Sequence, residues 1–510
     1  MKRWIALLSL VPVAVLAQPP YPEQAARLWR LGHERAIVEE FMALLALPNV
    51  TSDRKNIQRN AELIARMMEK RGIAARLITA PEANPLVFGE LRSPGATRTL
   101  VFYAHYDGQP IDPKEWATPP FEPVLRTRSL EDNGTVFTLG AGGAALDPES
   151  RLYARSAADD KAPIVALMTA LDAIRAAGLP LKSNIKFVFD GEEETGSPNL
   201  EKMLAVNRDL FAGDLWLVCD GPLYQTRRQS IIFGARGIAI FDVTVYGPRV
   251  ELHSGHYGNW APNPAMSLAR LLASMKDPAT DEVLIEGFYD EVEPLSPREQ
   301  QAIADAPAVD AALMQDLWLG STDGRPKTLN ELIARPSLNI RGMASARVGA
   351  AAANIIPASA TATLDVRLVK KMSASRTLAA MLAHIRKQGF HVVETEPAAD
   401  VRQSHPRVAK VVMSRSSEAA RTSMDLPASQ EVIRVVERVR GRTIALPTMG
   451  GQLPLDAMVR AAGALPIVIP IGNHDNNQHS ANENLRIQNL WDGIELMAAL
   501  LTMDLPTGSR

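Results

Sequence analysis

Four short apolar runs in the sequence are each followed by side chains that could bind a metal ion. Histidine and carboxylate side chains bind zinc and similar divalent ions, and they can do so without thiolates. The chain has one cysteine, Cys219, so the sequence excludes a thiolate cluster. The runs, each with the candidate residues that follow it, are 99–104 with His105 and Asp107, 185–189 with the acidic residues Asp190, Glu192, Glu193 and Glu194, 215–219 with Asp220, and 465–471 with His479.

These apolar runs have the length and the composition of buried β-strands. A helical pattern at 162–177 separates the first run from the second. Strands that alternate with helices indicate a mostly parallel sheet covered by helices on both faces. In such a sheet, ligands bind at the carboxyl ends of the strands. We therefore expect an α/β fold in which the candidate residues converge at one rim of the sheet.

A fifth candidate is the pair Asp159-Asp160 in the segment 158–161, just before the helix predicted from Ala162. An aspartate at this place could cap the helix by accepting free backbone N–H groups. It could also bridge two cations, and the two roles are compatible. Each candidate has an ordinary structural explanation by itself: the acidic run around Glu193 could be a solvated turn, and Asp220 could cap a turn. The coincidence at four strand ends favours a metal site.

The pattern of the chain changes near residue 230. Residues 238–246 and 360–369 alternate apolar and polar side chains, which is typical of half-exposed antiparallel strands. The α/β pattern then returns, so we expect a catalytic domain in two parts and an inserted α+β lid or dimerisation domain. The predicted segments are 1–17 (signal peptide), 18–230 (catalytic domain, first part), 231–400 (inserted domain) and 401–510 (catalytic domain, second part).

Composition and charge narrow the classes of function. The 510 residues are 46% hydrophobic and 22% charged, with a net charge of −2, as in soluble globular proteins. This balance gives no support for a nucleic-acid partner or a basic membrane-binding surface. Lys2 and Arg3 precede an apolar stretch at 4–16 and then Ala17, which predicts a cleaved signal peptide and a secreted or periplasmic protein that does not span the membrane. An uncleaved anchor or a buried N-terminal helix is the alternative.

Ten motifs of the sequence resemble those of one zinc-dependent hydrolase family. The family comprises carnosine dipeptidases, bacterial glutamate carboxypeptidases, aminoacylases and desuccinylases, and the chain looks most like the carnosine dipeptidase branch. The motifs are HYDGQP (105–110), DPKEWATPPFEP (112–123), RLYARSAADDK (151–161), GEEETGS (191–197), VCDG (218–221), LHSGHYGN (252–259), ANIIP (353–357), DVRLV (365–369), GGQLP (450–454) and HSANE (479–483).

The resemblance implies a centre with two divalent metal ions in each subunit, zinc above all, with cobalt or manganese as alternatives. It implies that Glu193 is the general base and that Asp107 orients the imidazole of His105. The implied ligands are His105 and Asp220 for one ion, Glu194 and His479 for the other, and Asp159 as the bridge between them.

The resemblance also implies residues that bind the substrate. His253 of the inserted domain would donate a hydrogen bond to the oxyanion, and in the family this histidine can act on the partner subunit's active site, which implies a homodimer through the inserted domain. Arg367 would grip the terminal carboxylate of a small peptide, a task that suits a planar guanidinium. Alternatively, His253 belongs to an ordinary surface turn and Arg367 pairs with Asp365. The same pocket would be lined by Asn354, Gly450, Gly451 and Gln452.

Three functions remain open at this point. The resemblance favours an exported dipeptidase or carboxypeptidase. The first alternative is an N-acyl-amino-acid amidohydrolase of the aminoacylase type. The second is a peptide-binding protein without catalysis, against which Glu193 and the intact ligand set argue. Gln452 replaces the serine usual in the family, which leaves the substrate preference open, and His256 and His474 have no assigned role.

Overall fold

The computed structural model of the chain describes residues 20–140 and 145–506, so the predicted signal peptide at 1–17 lies outside the described residues. Among the residues that it describes, no helix combines the length and the apolar composition that a membrane crossing needs. The helices are α1 (Pro22–Leu45), α2 (Arg54–Lys70), α3 (Lys161–Ala176), α4 (Leu200–Val206), α5 (Arg208–Phe211), α6 (Ser254–Tyr257), α7 (Pro264–Ala273), α8 (Pro297–Ala304), α9 (Asp310–Asp316), α10 (Leu329–Ile333), α11 (Ala374–Lys387), α12 (Ala399–Ser404), α13 (Pro427–Arg440), α14 (Leu455–Ala462) and α15 (Ile487–Leu501).

The strands belong to one large sheet, one medium sheet and three smaller ones within the described ranges. In chain order they are β1 (Ala74–Ile78), β2 (Leu86–Leu91), β3 (Thr99–His105), β4 (Val124–Arg126), β5 (Val136–Phe137), β6 (Arg151–Tyr153), β7 (Asn184–Asp190), β8 (Leu215–Val218), β9 (Ser230–Ile232), β10 (Gly234–Ala235), β11 (Gly237–Tyr246), β12 (Leu252–His253), β13 (Ser337–Ala344), β14 (Ile355–Ile356), β15 (Ser359–Leu368), β16 (His391–Val393), β17 (Val408–Ser417), β18 (Ala420–Arg421), β19 (Ile444–Leu446), β20 (Pro466–Val468) and β21 (Asn484–Arg486).

The large sheet has eight strands in the order β1-β2-β7-β3-β8-β20-β9-β19. Its centre, β7-β3-β8-β20, is parallel throughout. The outer pairs β1–β2, β2–β7 and β9–β20 are antiparallel. Because the central strands are buried on both faces, their sequences are almost continuously apolar. The predicted α/β fold with a mostly parallel sheet is confirmed, and the four predicted strands are its four central strands.

Helices cover both faces of this sheet. On one face, α3 packs against α1 and α15, and its apolar residues are buried around the whole helix, as Leu167 and Ile174 show. On the other face, α4, α5 and α14 bury residues such as Met203 and Phe211. Burying one such large apolar side chain contributes about 1.5–3 kcal/mol, so these two layers hold the sheet and its carboxyl rim in a fixed position.

The inserted domain is built on a five-stranded sheet in the order β13-β15-β11-β17-β16. Alternate residues of β11, such as Phe241 and Val243, are buried against α7 and α11, as the alternation in the sequence predicts. The strand β17 (Val408–Ser417) lies after the predicted end of this domain at residue 400. A boundary after 417 keeps the sheet whole, because β17 pairs with β11 along almost its full length.

Part of the inserted stretch packs back onto the catalytic domain. The Pro- and Asp-rich segment at 277–323 contains α8 and α9, and α8 packs against β19 of the large sheet. Tyr224 donates its hydroxyl to the carbonyl of Pro307 at 3.3 Å and accepts a hydrogen bond from Asn330 at 3.0 Å. This segment therefore connects the two domains at the edge of the large sheet.

Candidate metal centre

The strand ends deliver the predicted metal-binding residues to one rim of the large sheet. His105 is the last residue of β3, and Asp220 follows β8 by two residues. Glu193 and Glu194 lie in a short helical turn just after β7, and His479 lies in the loop after β20. His105 and His479 are more than 370 residues apart in the sequence, so only the fold of the sheet brings them together.

Asp159 lies between the two histidines. Its Oδ1 is 2.8 Å from Nε2 of His105, and its Oδ2 is 3.2 Å from Nε2 of His479. Oε2 of Glu194 is also 3.2 Å from Nε2 of His479, and Oδ2 of Asp220 is 3.8 Å from Nε2 of His105. Each oxygen of one carboxylate thus faces a different histidine, which is the arrangement that a bridging ligand requires.

The described residues form two groups whose donor atoms lie within 4.8 Å of one another: His105 with Asp160 and Asp220, and Asp159 with Glu194 and His479. The family resemblance implies Asp159, and not Asp160, as a ligand. Its Oδ2 accepts the backbone N–H of His105 at 3.2 Å, whereas the ring of His105 faces Asp159 and Asp220. Asp160 therefore supports the backbone of a candidate ligand, and Asp159 joins the two groups.

The carboxylates of this rim repel one another. Burial, together with the charges of Asp159 and Glu194, raises the pKa of Asp220 to about 7. Burial and the neighbouring carboxylates also raise the pKa of Glu193 well above its usual value, although His105 opposes the shift. Such crowding of buried anions is stabilised by bound cations, and nitrogen and oxygen donors without thiolate suit divalent ions such as zinc. The donor set therefore fits two divalent cations.

Asp107 contacts both His105 and the helical turn that carries Glu193 and Glu194. Its Oδ1 lies 3.3 Å from Nδ1 of His105 and accepts the backbone N–H of Glu193 at 3.1 Å. Its Oδ2 accepts the N–H of Glu194 at 3.1 Å and the hydroxyl of Thr51 at 2.7 Å. A buried carboxylate behind a ligating histidine fixes the orientation of the ring.

Glu483 has a comparable role that was not predicted, although it is the last residue of the HSANE motif. Its side chain is fully buried. One oxygen accepts the backbone N–H groups of Ala158 and Asp159, both at 2.9 Å. The other accepts the N–H of Ser156 at 2.8 Å and Nη1 of Arg155 at 2.9 Å. Glu483 therefore fixes the loop that presents Asp159, and no spacing in the sequence indicates this contact.

His253 lies apart from these groups. It is exposed in β12, its Nδ1 accepts the N–H of Gly255 at 3.1 Å, and its ring centre is 4.6 Å from that of His256. The carbonyl of Asn354, also exposed, accepts the N–H of Ser254 at 2.9 Å. Within the described part of this chain, none of the hydrogen bonds or ring contacts of His253 reaches the metal-binding groups.

Arg236 lies close to both Arg367 and the carbonyl of Gly450. Arg367 is paired with Ile238 in the sheet, and its Nε is 3.8 Å from Oδ1 of Asp365, too far for a hydrogen bond. Arg236 donates from Nε and Nη2 to the carbonyl of Gly450 at 3.2 and 3.0 Å. Burial and then the positive charge of Arg367 lower the pKa of Arg236 to about 10. Two guanidinium groups therefore lie near the Gly450–Gly451 loop.

The residues at 101–503 match the model of peptidase family M20/M25/M40. The chain belongs to this family. The predicted family resemblance is thus confirmed, and with it the class of metallopeptidase.

Individual relatives match this M20 peptidase over most of its length. The Cys-Gly metallodipeptidase dug1 of Schizosaccharomyces pombe is 26% identical over 446 residues, 84% of this chain and 85% of that protein. The human Beta-Ala-His dipeptidase is 28% identical over 425 residues, 81% of this chain and 76% of that protein. The crystal structure of an M20 family metallo-carboxypeptidase from Sulfolobus solfataricus has a TM-score of 0.73 and 25% identity, and covers 92% of this chain and 99% of its own.

Three predicted or unassigned residues of this M20 peptidase contribute little to the described geometry. Gly451 and Gln452 follow Gly450 in the loop before α14, and among the described residues the side chain of Gln452 makes no hydrogen bond. His474 lies 3.9 Å from Asp475, and burial lowers its pKa. None of the contacts in the described ranges links these side chains to the metal-binding groups.

Proposed function

We propose that this M20 peptidase is an exported exopeptidase that hydrolyses dipeptides with a free terminal carboxylate, with two zinc ions bound in each subunit. The observation that carries the proposal is the position of Asp159 between His105 and His479. The names of the relatives add support, since two of those proteins are dipeptidases and one is a carboxypeptidase. His105 and Asp220 would hold one ion, and Glu194 and His479 the other.

The protein side chains divide the reaction between them. Bound divalent cations polarise a carbonyl group and lower the pKa of water. Glu193 accepts the proton of the attacking water and passes it to the leaving amine. Burial raises the pKa of Glu193 well above its usual value, and a raised pKa makes a carboxylate a stronger base towards the proton of water. Asp107 keeps Glu193 in position through the backbone N–H of that residue.

His253 requires a second subunit in this proposal. It lies on the inserted domain without contact to the metal-binding groups of its own chain in the described residues, so we assign it to the active site of a partner. The strand β13 lies at the edge of the five-stranded sheet and exposes Ile340 and Met343. Tyr257 and Trp260, which follow His253 in the sequence of the same domain, are also exposed. An unpaired, apolar edge strand suits pairing with a second copy, so β13 is the proposed dimer contact.

The proposed reaction is tested by a substrate screen with the metal-loaded protein. Dipeptides and N-acyl amino acids would be incubated in parallel, with and without a chelator. We expect release of amino acids from dipeptides, loss of that activity with the chelator, and its return on addition of zinc. Hydrolysis of N-acyl amino acids alone would instead indicate an aminoacylase. Binding of dipeptides without hydrolysis in the presence of zinc, cobalt and manganese would indicate a binding protein and contradict the proposal.

The proposed export rests on the basic and apolar residues at 1–17. Cleavage after Ala17 would leave Gln18 as the first residue of the mature protein. Mass spectrometry of the native protein, isolated from the cell envelope or the medium, tests this expectation. Recovery of the protein with Met1 still attached would contradict it.

A further inference from the structure

The five-stranded sheet has one covered face and one open face, and the open face is rich in arginine. The covered face carries residues such as Phe241 and Leu364, which are buried beneath α7 and α11. On the opposite face, Ile240 is flanked by Asp365 on β15 and by Arg415 on β17. Arg415 thus lies on the same face as Arg367 and Asp365 and away from the helices.

Arg415 also contacts the turn that carries the proposed general base. Gly196 follows Glu194 by two residues and has a left-handed backbone with φ of 86°. A side chain at Gly196 would collide with Nη2 of Arg415. The guanidinium of this inserted-domain residue therefore lies against the end of the turn that carries Glu193 and Glu194, which belongs to the other domain.

The open face carries more positive charge than the described residues neutralise. Nε of Arg341 is 3.9 Å and Nε of Arg367 is 3.8 Å from the carboxylate of Asp365. Arg236, whose pKa is lowered by burial and by Arg367, donates to a backbone carbonyl rather than to an anion. The backbone of Arg415 belongs to the ladder of β17, but its side chain forms no ion pair or hydrogen bond with any residue in the described ranges. The face also carries Asp242, which accepts the hydroxyl of Thr363. Four arginines and two aspartates still leave an excess of guanidinium groups, which suits an anion with more than one carboxylate.

The spacing of the arginines fits two carboxylates of one amino acid. Arg367 on β15 and Arg415 on β17 are separated by β11 and are offset by two residues along the strands, which together corresponds to about 12 Å between their backbones. Arginine side chains are long and flexible enough to converge over such a distance. The α-carboxylate and the side-chain carboxylate of an aspartate or glutamate are only a few bonds apart, so one residue could contact both guanidinium groups.

We propose that Arg415 binds a side-chain carboxylate of the substrate and selects dipeptides whose C-terminal residue is aspartate or glutamate. The inference rests on the proposed function and on the role that the family resemblance implies for Arg367, which is to bind the terminal carboxylate. Arg415 is then a specificity residue that reaches the active site from the inserted domain.

The test compares Ala-Glu with Ala-Gln, which have nearly the same shape but differ in charge. With the metal-loaded protein we expect kcat/KM for Ala-Glu to exceed that for Ala-Gln by about tenfold or more, as for a charge-assisted hydrogen bond. Arg415→Gln should remove this preference and leave Ala-Gln within about twofold of its original value. Arg415→Lys should keep part of the preference, because the charge remains.

A matched control separates specificity from a general effect of charge. Arg376 lies on α11, over the covered face, and pairs with Glu291; Arg376→Gln removes the same charge and should leave the preference unchanged. Equal hydrolysis of Ala-Glu and Ala-Gln by the original protein would overturn the inference. An equal loss on both substrates in Arg415→Gln would also overturn it, because that result assigns Arg415 to a domain contact. Hydrolysis of neither substrate by a protein that cleaves other dipeptides would overturn the inference alone. Hydrolysis of no dipeptide at all would overturn the proposed function as well.

Discussion

The metal rim of the large sheet and the open face of the inserted sheet differ in how their functional groups are held. At the rim, His105, Asp107 and Asp159 are buried, and each has partners within hydrogen-bond distance or close to it. On the inserted domain, His253 and Arg415 are exposed and have few or no polar side-chain partners among the described residues. The polar groups of the rim therefore have their partners within one chain, whereas the proposed function gives those of the inserted face partners on a substrate or a second subunit.

This difference has a physical cause. Metal ligands must be fixed before the ion binds, because a loosely held donor loses affinity and geometry. The groups that recognise a substrate can remain solvated until it arrives, since water satisfies their hydrogen bonds in the free protein. Substitutions in the two regions should therefore differ in their effects on activity and on metal binding, and the following predictions use that contrast.

The largest effect is expected at Glu193. Glu193→Gln keeps the shape of the side chain and removes the proton acceptor, so kcat for a dipeptide should fall by about 10²–10⁴-fold. The metal content should stay unchanged, because Glu193 is not among the proposed ligands. Steady-state kinetics and elemental analysis of the same sample provide the two measurements. A variant with the original kcat would rule out the assigned general base.

The next effect is expected at His253. If this residue donates to the oxyanion, His253→Ala should lower kcat by about 10²–10³-fold with little change in KM. His391, which stacks on His405 at 3.7 Å elsewhere on the inserted domain, provides a control histidine for replacement by alanine. An unchanged kcat in His253→Ala would show that His253 of the inserted domain does not take part in the reaction.

Mixed dimers sharpen this prediction. A dimer with His253→Ala in one subunit and Glu193→Gln in the other contains one site with both functional groups, provided that His253 acts across the interface. We expect partial recovery of activity when the two inactive variants are dissociated and reassembled together. No recovery, despite the formation of mixed dimers, would place His253 in the site of its own chain.

A smaller effect is expected at Glu483, which touches no proposed ion. Glu483→Gln weakens the acceptor of four hydrogen bonds around Asp159, so the affinity for zinc should fall by about 10–100-fold. Competition with a chelator of known affinity measures this change. Glu201→Gln, at an ion pair with Arg460 on the surface, is the control. Equal zinc affinities in the two variants would show that the conformation of the Asp159 loop does not depend on Glu483.

The smallest effect is expected at Asp475. Burial would raise its pKa, but hydrogen bonds and ion pairs with Arg151, Asn473 and Arg486 lower it below the usual range. A lowered pKa adds stability above the unfolded value of about 3.9, and this contribution disappears as the pH falls. Because Asp475 is partly exposed, Asp475→Asn should cost only about 1 kcal/mol at neutral pH. Urea unfolding should show a smaller difference near pH about 3; an undiminished difference there would contradict the assignment.

Much of the catalytic domain could be predicted because its signals are local. The run at 99–104 became β3 (Thr99–His105), and the helix predicted at 162–177 became α3 (Lys161–Ala176). Apolar runs of strand length and helical periodicity depend on burial of neighbouring residues, which the sequence displays directly. Because the central strands are parallel neighbours, the candidate ligands at their carboxyl ends lie at one rim of the sheet.

The remaining features depend on contacts between distant parts of the chain. Glu483 accepts hydrogen bonds from a loop more than 300 residues earlier, and Arg415 meets Gly196 across the two domains. The spacing of apolar and polar residues along the sequence carries no information about such contacts. The predicted end of the inserted domain at residue 400 preceded β17, because the change in pattern near that point comes from α12 and the turn after it, within the same domain.

The central claim is that Asp159 joins two cation sites, and the number of ions bound by Asp159→Asn tests it most directly. After equilibration with zinc and removal of free metal, the original protein should retain about two ions per chain, as expected for paired divalent sites. Asp159→Asn, which keeps the size of the side chain and loses its charge, should retain less than about one. A folded variant that still holds both ions as tightly as the original protein would contradict the claim.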